Sequence, residues 1–296
     1  ILSPSNRCLV RRQYPESADS SRNSSPNSDI AGLPATTGIC GGFSETYAAL
    51  CDYNGVCCRE EVQWDVDMIY HSQDSREFNL QDFSHLESRD LALVVAALAY
   101  NQYFLRLQAA NLKLGSEVTE QILHCVGRSQ HLEELILEDC GLRADFALRL
   151  ASVLADNSAS SLHSLNLSHN PLEDRGISAL SQQFLYFHAG LRSLNLSKTN
   201  ITSRDIRGIG SWLLLLRTPE TLPSVEKFFG SSLSLSHISL SGTKVPPELL
   251  RAMLQGLCSN THLQDVHLDL SSCEGIKLGW GKGRWNAQIM NTSQRN

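Results

Sequence analysis

Four cysteines and a histidine crowd one stretch of the chain: Cys40, Cys51, Cys57, Cys58 and His71. Thiolate and imidazole are the ligands zinc prefers, but a structural zinc site is built from close Cys-x-x-Cys pairs. Here the cysteine spacings are eleven, six and one. The pattern predicts free thiols, with no metal and no other cofactor. Nucleophile chemistry fares no better. No Gly-x-Ser-x-Gly elbow, no phosphate loop ending Gly-Lys-Ser/Thr and no His-Glu-x-x-His is present. Gly208-Ile209-Gly210 lacks the third glycine and the preceding strand of a nucleotide loop. The ten histidines are scattered, and His163, His169, His237 and His267 fall on or beside predicted strands. Asn166-Leu167-Ser168 and Asn195-Leu196-Ser197 match the glycosylation triplet only as by-products of a repeated Leu-Asn-Leu-Ser strand. The aromatics Trp64, Tyr100, Tyr103 and Phe104 are expected to pack inside an N-terminal cap. These residues predict no catalytic site and no small-molecule substrate.

What remains is surface, and composition limits its partners. The 296 residues are 42% hydrophobic and 19% charged, with net charge −6. That is the balance of a folded globular chain, not of a disordered one. No apolar run approaches the ~20 residues of a membrane helix; the densest, Trp212 to Leu216, is expected in the core. No long Lys/Arg run offers a nucleic-acid footprint. The only basic cluster is Arg7, Arg11 and Arg12, expected to be solvated linker or a contact to acidic lipid. The chain opens at Ile1 without a charged-then-apolar leader, so it reads as a fragment of a cytosolic protein with reduced thiols.

The elements that carry this surface come from a repeat. Leu132-x-x-Leu135-x-Leu137-x-x-Cys140 returns as Leu162-x-x-Leu165-x-Leu167-x-x-Asn170 and as Leu191-x-x-Leu194-x-Leu196-x-x-Thr199. It returns again as Leu235-x-x-Ile238-x-Leu240-x-x-Thr243. Degenerate copies precede these at Phe78-x-Leu80 and Phe104-x-x-Leu107-x-Ala109-x-x-Leu112; a partial copy of uncertain register follows around Val266, Leu268 and Leu270. The anchors Phe78, Leu107, Leu135, Leu165 and Leu194 are separated by 29, 28, 30 and 29 residues. Steps this long belong to leucine-rich repeats with a helix on the outer side. The fold class is therefore an α/β leucine-rich-repeat solenoid, a ribonuclease-inhibitor-like horseshoe with short parallel strands inside, helices outside and a helical N-terminal cap.

The domain plan follows. Residues 1–39, rich in Ser, Asn and Pro, form a disordered linker; 40–75 form the helical cap, with helices from Phe43 to Leu50 and Val62 to Tyr70. Residues 76–273 are repeats, with an insertion near 217–232 where one step lengthens to 44, and 274–296 are a non-repeat tail. Helices are predicted over Asp90–Leu98, Phe146–Leu154 and Ile177–Phe184. The slot after each strand (Cys140, Asn170, Thr199, Thr243, Cys273) should fill a tight turn. The final copy, lacking a recognisable end cap, should expose leucines and fray from about Leu263. In each strand the residues flanking the inward leucines face the concave side, where solenoids hold partners. The candidate contacts are Glu134, Ile136 and Glu138; Ser164, Asn166 and Ser168; Ser193, Asn195 and Ser197; and His237, Ser239 and Ser241.

Specific residues carry a family resemblance. The run Cys40-Gly41-Gly42-Phe43-Ser44-Glu45-Thr46-Tyr47-Ala48-Ala49-Leu50-Cys51-Asp52-Tyr53-Asn54-Gly55 resembles the CARMIL family, the capping-protein, Arp-complex and myosin-I linkers. So do Arg59 to Asp67, Asp82 to Asp90, Leu132 to Gly141 and Leu172 to Gly176. The resemblance covers about residues 40 to 273. It implies a non-enzymatic scaffold in actin regulation, acting in filament capping, branched assembly and cell migration, with proteins of the actin machinery as partners. It implies a place in the cytoplasm, on the cytoskeleton and at the inner face of the plasma membrane at the leading edge. In that family an upstream pleckstrin-like domain makes the membrane contact, and residues 1 to 15 are the only candidate remnant of it. The capping-protein-binding motif lies in a tail that this sequence does not contain. The rival readings are a solenoid GTPase-activating protein of the Ran type, which shares the repeat length, and a ribonuclease-inhibitor-like binder.

Overall fold

The computed structural model describes residues 38–173, 190–199, 229–243, 247–263, 265–273 and 286–290, with a few single positions between. The described residues form eight strands in one open sheet, ordered as in the sequence, the first seven built on the repeated inward aliphatics: β1 (Glu77–Asn79), β2 (Arg106–Ala110), β3 (Glu134–Glu138), β4 (Ser164–Asn166), β5 (Ser193–Asn195), β6 (His237–Ser239), β7 (Asp265–Asp269) and β8 (Asn286–Met290). The first seven are parallel, each paired with the next. Register places Phe78, Leu107, Leu135, Leu165, Leu194, Ile238 and Leu268 side by side. This settles the last copy: its anchor is Leu268.

Each crossover helix buries one stripe. In α1 (Phe43–Asn54) the stripe is Phe43, Tyr47 and Cys51, spaced by four. In α2 (Glu60–Trp64), which runs on as a π-helical turn over Asp65–Tyr70, it is Val62, Val66 and Tyr70. The helices α3 (Ser88–Leu98), α4 (Ser116–Arg128), α5 (Ala144–Asp156) and α6 (Pro247–Ser259) lie between successive strands. A fully buried aliphatic side chain contributes about 1.5–3 kcal/mol over an exposed one, so stacking such stripes is what holds repeats that could not stand singly.

Two devices recur. After each of β2 to β7 one residue takes a left-handed backbone: Asn111 (φ 53), Asp139 (φ 48), His169 (φ 61), Lys198 (φ 52), Gly242 (φ 69) and Ser272 (φ 58). Glycine alone does this without a Cβ penalty, and only the β6 repeat uses it. The slot residue comes next. Asn170 is fully buried; its Oδ1 accepts from the Cys140 and Leu142 amides (2.9 and 3.0 Å), and its Nδ2 donates to the Leu137, Leu167 and Ser168 carbonyls. Thr199 donates to Leu196 O (2.9 Å) and the Cys273 thiol to Leu240 O (3.1 Å). The slot expectation holds.

Among the described residues the buried apolar side chains fall into two groups. The larger runs from Cys40 to Leu196, and the smaller holds Phe229, Leu235, Ile238, Leu250, Met253, Leu257, Leu263, Val266 and Leu268; Leu240 packs against both. At the N-terminal end the Phe78 ring sits at the middle of an aromatic group, its centroid 5.0 Å from Phe104, 5.3 Å from Phe43 and Phe83, and 5.5 Å from Tyr70.

Three expectations require correction. Trp64 and Tyr100 do not pack in the cap: both are exposed, because the α2 stripe is satisfied by Val62, Val66 and Tyr70, and Tyr100 lies just past the end of α3. The final copy does not expose its apolar residues, since Leu263, Val266 and Leu268 are buried. The β7 edge is paired by β8, which runs antiparallel from Asp265↔Met290 to Asp269↔Asn286. A tail that reads as neither repeat nor cap thus supplies the end strand. The segment Trp212 to Leu216 and most of the insertion near 217–232 lie outside the described residues, as does much of the predicted helix Ile177–Phe184, whose described positions Ala179, Leu180 and Gln183 are helical.

Candidate binding surface

The sheet face opposite the helices is built in rows, because parallel register brings equivalent side chains into line about 4.8 Å apart. One row reads Glu77, Arg106, Glu134, Ser164, Ser193, His237, His267; the next reads Asn79, Gln108, Ile136, Asn166, Asn195, Ser239, Asp269. Of the candidate contacts, Glu134, Ile136, Glu138, Ser164, Asn166, Ser193, Asn195, Ser239 and Ser241 are half-buried and His237 is exposed. The register therefore aligns eight of the twelve on one accessible face, with Glu138 at the end of β3 and Ser241 just past the end of β6.

Ser168 and Ser197 are the exceptions, with only 2% and 8% of their surface exposed. The strand has already turned at these positions, and their carbonyls accept from the Asp139 and His169 amides of the preceding repeats. They are turn residues, not contacts.

The row of carboxamides is partly spent on the fold. Asn166 Oδ1 accepts from Ser168 N (3.0 Å), and Asn195 Oδ1 from Ser197 N (3.1 Å). Asp269 Oδ1 takes the same role with Ser271 N (2.9 Å). What Asn166 and Asn195 turn outward is their NH2 group, a hydrogen-bond donor. At Asp269, burial acts to raise the pKa, but bonds from the Ser271 amide and hydroxyl and the Ser239 hydroxyl, with His267 nearby, outweigh it and hold the carboxyl below its ordinary range. Ser241 donates to Ser271 O (2.8 Å).

The charge on this face is polarised. Around β3 the carboxylates dominate, partly paired: Arg106 with Glu134 (3.2 Å), His163 with Glu133 (3.4 Å) and His169 with Glu138 (3.9 Å). From β4 to β6 the rows are amide, hydroxyl and imidazole, and β7 adds His267, its ring 5.7 Å from that of His237, and the carboxylate of Asp269. Such a face offers hydrogen bonds and weak charge to a macromolecular partner along its length.

The thiols are placed differently. Cys40 and Cys51 are buried, Cys58 is half-buried and Cys57 is exposed, all free. Burial, with the neighbouring Cys51 thiol, pushes Cys58 up to about 12, and burial alone brings Cys125 to about 12. The Cys58 and Cys125 thiols are therefore protonated at neutral pH and are poor nucleophiles. Among the described residues no three His, Cys, Asp or Glu side chains converge as metal ligands.

The sequence pattern missed a second structural slot, about three residues before the first leucine of a repeat. There Asn101, Ser129 and Asn260 accept from the following amides: Tyr103 and Phe104, His131 and Leu132, and His262 and Leu263. The signal was an Asn or Ser at constant offset from Phe104, Leu132 and Leu263.

Comparison with known proteins settles the lineage. The sequence model of a family described as "CARMIL family, LRR domain" matches residues 40–215. The chain belongs to the CARMIL family. The human "Capping protein, Arp2/3 and myosin-I linker protein 3" is 44% identical over 348 aligned residues, covering 92% of this chain and 25% of that protein. "Protein CARMIL" of Dictyostelium discoideum is 28% identical, covering 79% of this chain and 29% of its own length. The "Rho GTPase-activating protein gacW" of the same organism is 29% identical over 57% of the chain. The chain thus spans about a quarter of the length of the CARMIL relatives it matches, and residues 40–215 correspond to the family's leucine-rich-repeat domain.

Proposed function

We propose that this chain is a non-enzymatic, protein-binding scaffold in actin regulation, working through the sheet face opposite its helices. The observation that carries the reading is the ordered, accessible row structure from Glu134 to Ser241, on a chain whose relatives are named as linkers of capping protein, Arp2/3 and myosin-I. The partners are one or more of those three. The site of action is the cytoplasm and the inner face of the plasma membrane at the leading edge, where the chain serves filament capping, branched assembly and migration. The experiment is retention of purified capping protein, Arp2/3 complex and myosin-I on the immobilised chain, with Asn166→Arg and Asn195→Arg as the paired variant. Retention of at least one partner, lost in a variant that keeps its circular dichroism, supports the reading. Retention of none, or retention indifferent to the substitutions, rules it out.

The gacW match favours one alternative, GTPase activation. It requires residues that stabilise phosphoryl transfer, such as an arginine reaching the nucleotide. Single-turnover GTP hydrolysis by Rho and Ran proteins is expected to be unchanged by the chain.

A further inference from the structure

α2 is apolar on two sides. Val62, Val66 and Tyr70 point into the core, while Trp64 and Met68, on the opposite side of the helix, stand 58% and 55% exposed. Ile69 beside them is 39% exposed. Exposed aliphatics scattered singly need no explanation, but a tryptophan, a methionine and an isoleucine on one short helix mark a contact surface. The same helix carries Glu60, Glu61, Asp65 and Asp67, with no lysine or arginine between Arg59 and Arg76. The cations at its margins are engaged elsewhere. Arg59 gives both Nε and Nη2 to Asp90 (2.8 and 2.6 Å), and Arg76 lies 4.0 Å over the Tyr103 ring and 3.5 Å from Asp74. His85 reaches Glu61 at 3.4 Å, and Ser44 donates to Asp67. The surface is an apolar strip rimmed by carboxylates.

Residues 1–37 lead directly to it. The described chain opens at Gly38, and two residues later the Cys40 thiol donates to Val66 O (3.5 Å) in α2. Within those residues lies a segment of complementary chemistry: Arg7, Arg11 and Arg12 interleaved with Leu9, Val10 and Tyr14, and no acidic residue before Glu16. From Pro15 to Thr37 an extended chain reaches at most ~75 Å, several times the length of the helix, so the geometry is permissive. Tethering also raises the local concentration of such a segment to the millimolar range.

We propose that the segment Arg7–Tyr14 docks on the outward face of α2, its arginines against Glu60, Glu61 and Asp65 and its Leu9, Val10 and Tyr14 over Trp64, Met68 and Ile69. The basic cluster is thereby withheld from other anionic surfaces, and the tryptophan is covered.

A benzophenone amino acid placed at Met68 in the full chain tests this. Ultraviolet cross-linking followed by peptide mapping is expected to join position 68 to residues 1–16 within one molecule. Arg7→Glu, Arg11→Glu and Arg12→Glu together should cut that product about tenfold. Adding Glu60→Lys, Glu61→Lys and Asp65→Lys should restore it, a rescue that simple misfolding would not give. A parallel arm uses phosphatidylserine vesicles: Trp64→Ala with Met68→Ala should increase vesicle binding by freeing the arginines. Cross-links to a second copy, absence of the intramolecular product, or vesicle binding as strong in the unaltered chain as in that variant would each overturn the docking.

Discussion

The two ends of the repeat array solve one problem with different materials. At the N-terminal end β1 is covered by helices, and Phe78 is fully buried among four other rings. Arg59 ties the α2 boundary to the buried Asp90. At the other end the described apolar group holds no such aromatic cluster, and its last parallel strand is closed by a single antiparallel one. A solenoid is stabilised by units and by the interfaces between neighbours, so its ends need not share one stability. The aromatic end is expected to anchor the fold and the strand-closed end to open first.

The largest effects test that ranking directly. Phe78→Ala should cost about 3–5 kcal/mol, the range for deleting a buried phenylalanine, and should lower the late phase of urea unfolding. Leu268→Ala, costing about 2–5 kcal/mol, should lower only an early phase, leaving the late one in place. A single transition shifted equally by both substitutions would abolish the distinction.

The next test concerns the slot that runs through both clusters. Asn170 joins two repeats through five hydrogen bonds, whereas Thr199 makes one to its own strand. Asn170→Ala leaves buried amides and carbonyls without partners, each costing about 1–3 kcal/mol. Thr199→Ala should cost only about 1 kcal/mol. Chemical denaturation of the two variants measures the difference, and equal losses would show that the asparagine is no special link.

The smallest effect is a pH dependence confined to the strand-closed end. Asp269 is held below its ordinary range when folded, so the unfolded chain binds the proton more readily. Its contribution is in full force above the ordinary carboxylate range and is lost as pH falls through the lowered folded value. Asp269→Asn keeps the turn, because Asn166 and Asn195 already make it at equivalent positions. Acid titration followed by amide exchange at Val266 and Leu268 should lose its slope in this variant, and an unchanged slope would assign the effect elsewhere.

How much of this was legible in the sequence depends on how local the cause is. The inward leucines recur at near-fixed steps, so strand order, register and the slot at Asn170 could be read from spacing alone. Trp64 and Tyr100 could not, because an aromatic residue near a cap packs only if the stripe has room, and Val62, Val66 and Tyr70 had filled it. Ser168 and Ser197 continue the strand's alternation on paper, but the backbone turns before reaching them. β8 lay beyond the pattern altogether: its pairing depends on an available edge at β7, a property of the folded sheet and not of the residues from Asn286 to Met290.

That last strand also changes what the sheet can become. A parallel edge offers the next rung the same template as the one before, which is how an array lengthens and how two arrays join. Reversing the direction of one strand breaks the template, since a newcomer would meet donors and acceptors in the opposite sense. In the vocabulary of polymer chemistry, Asn286–Met290 is a head-to-head unit at the end of a head-to-tail run.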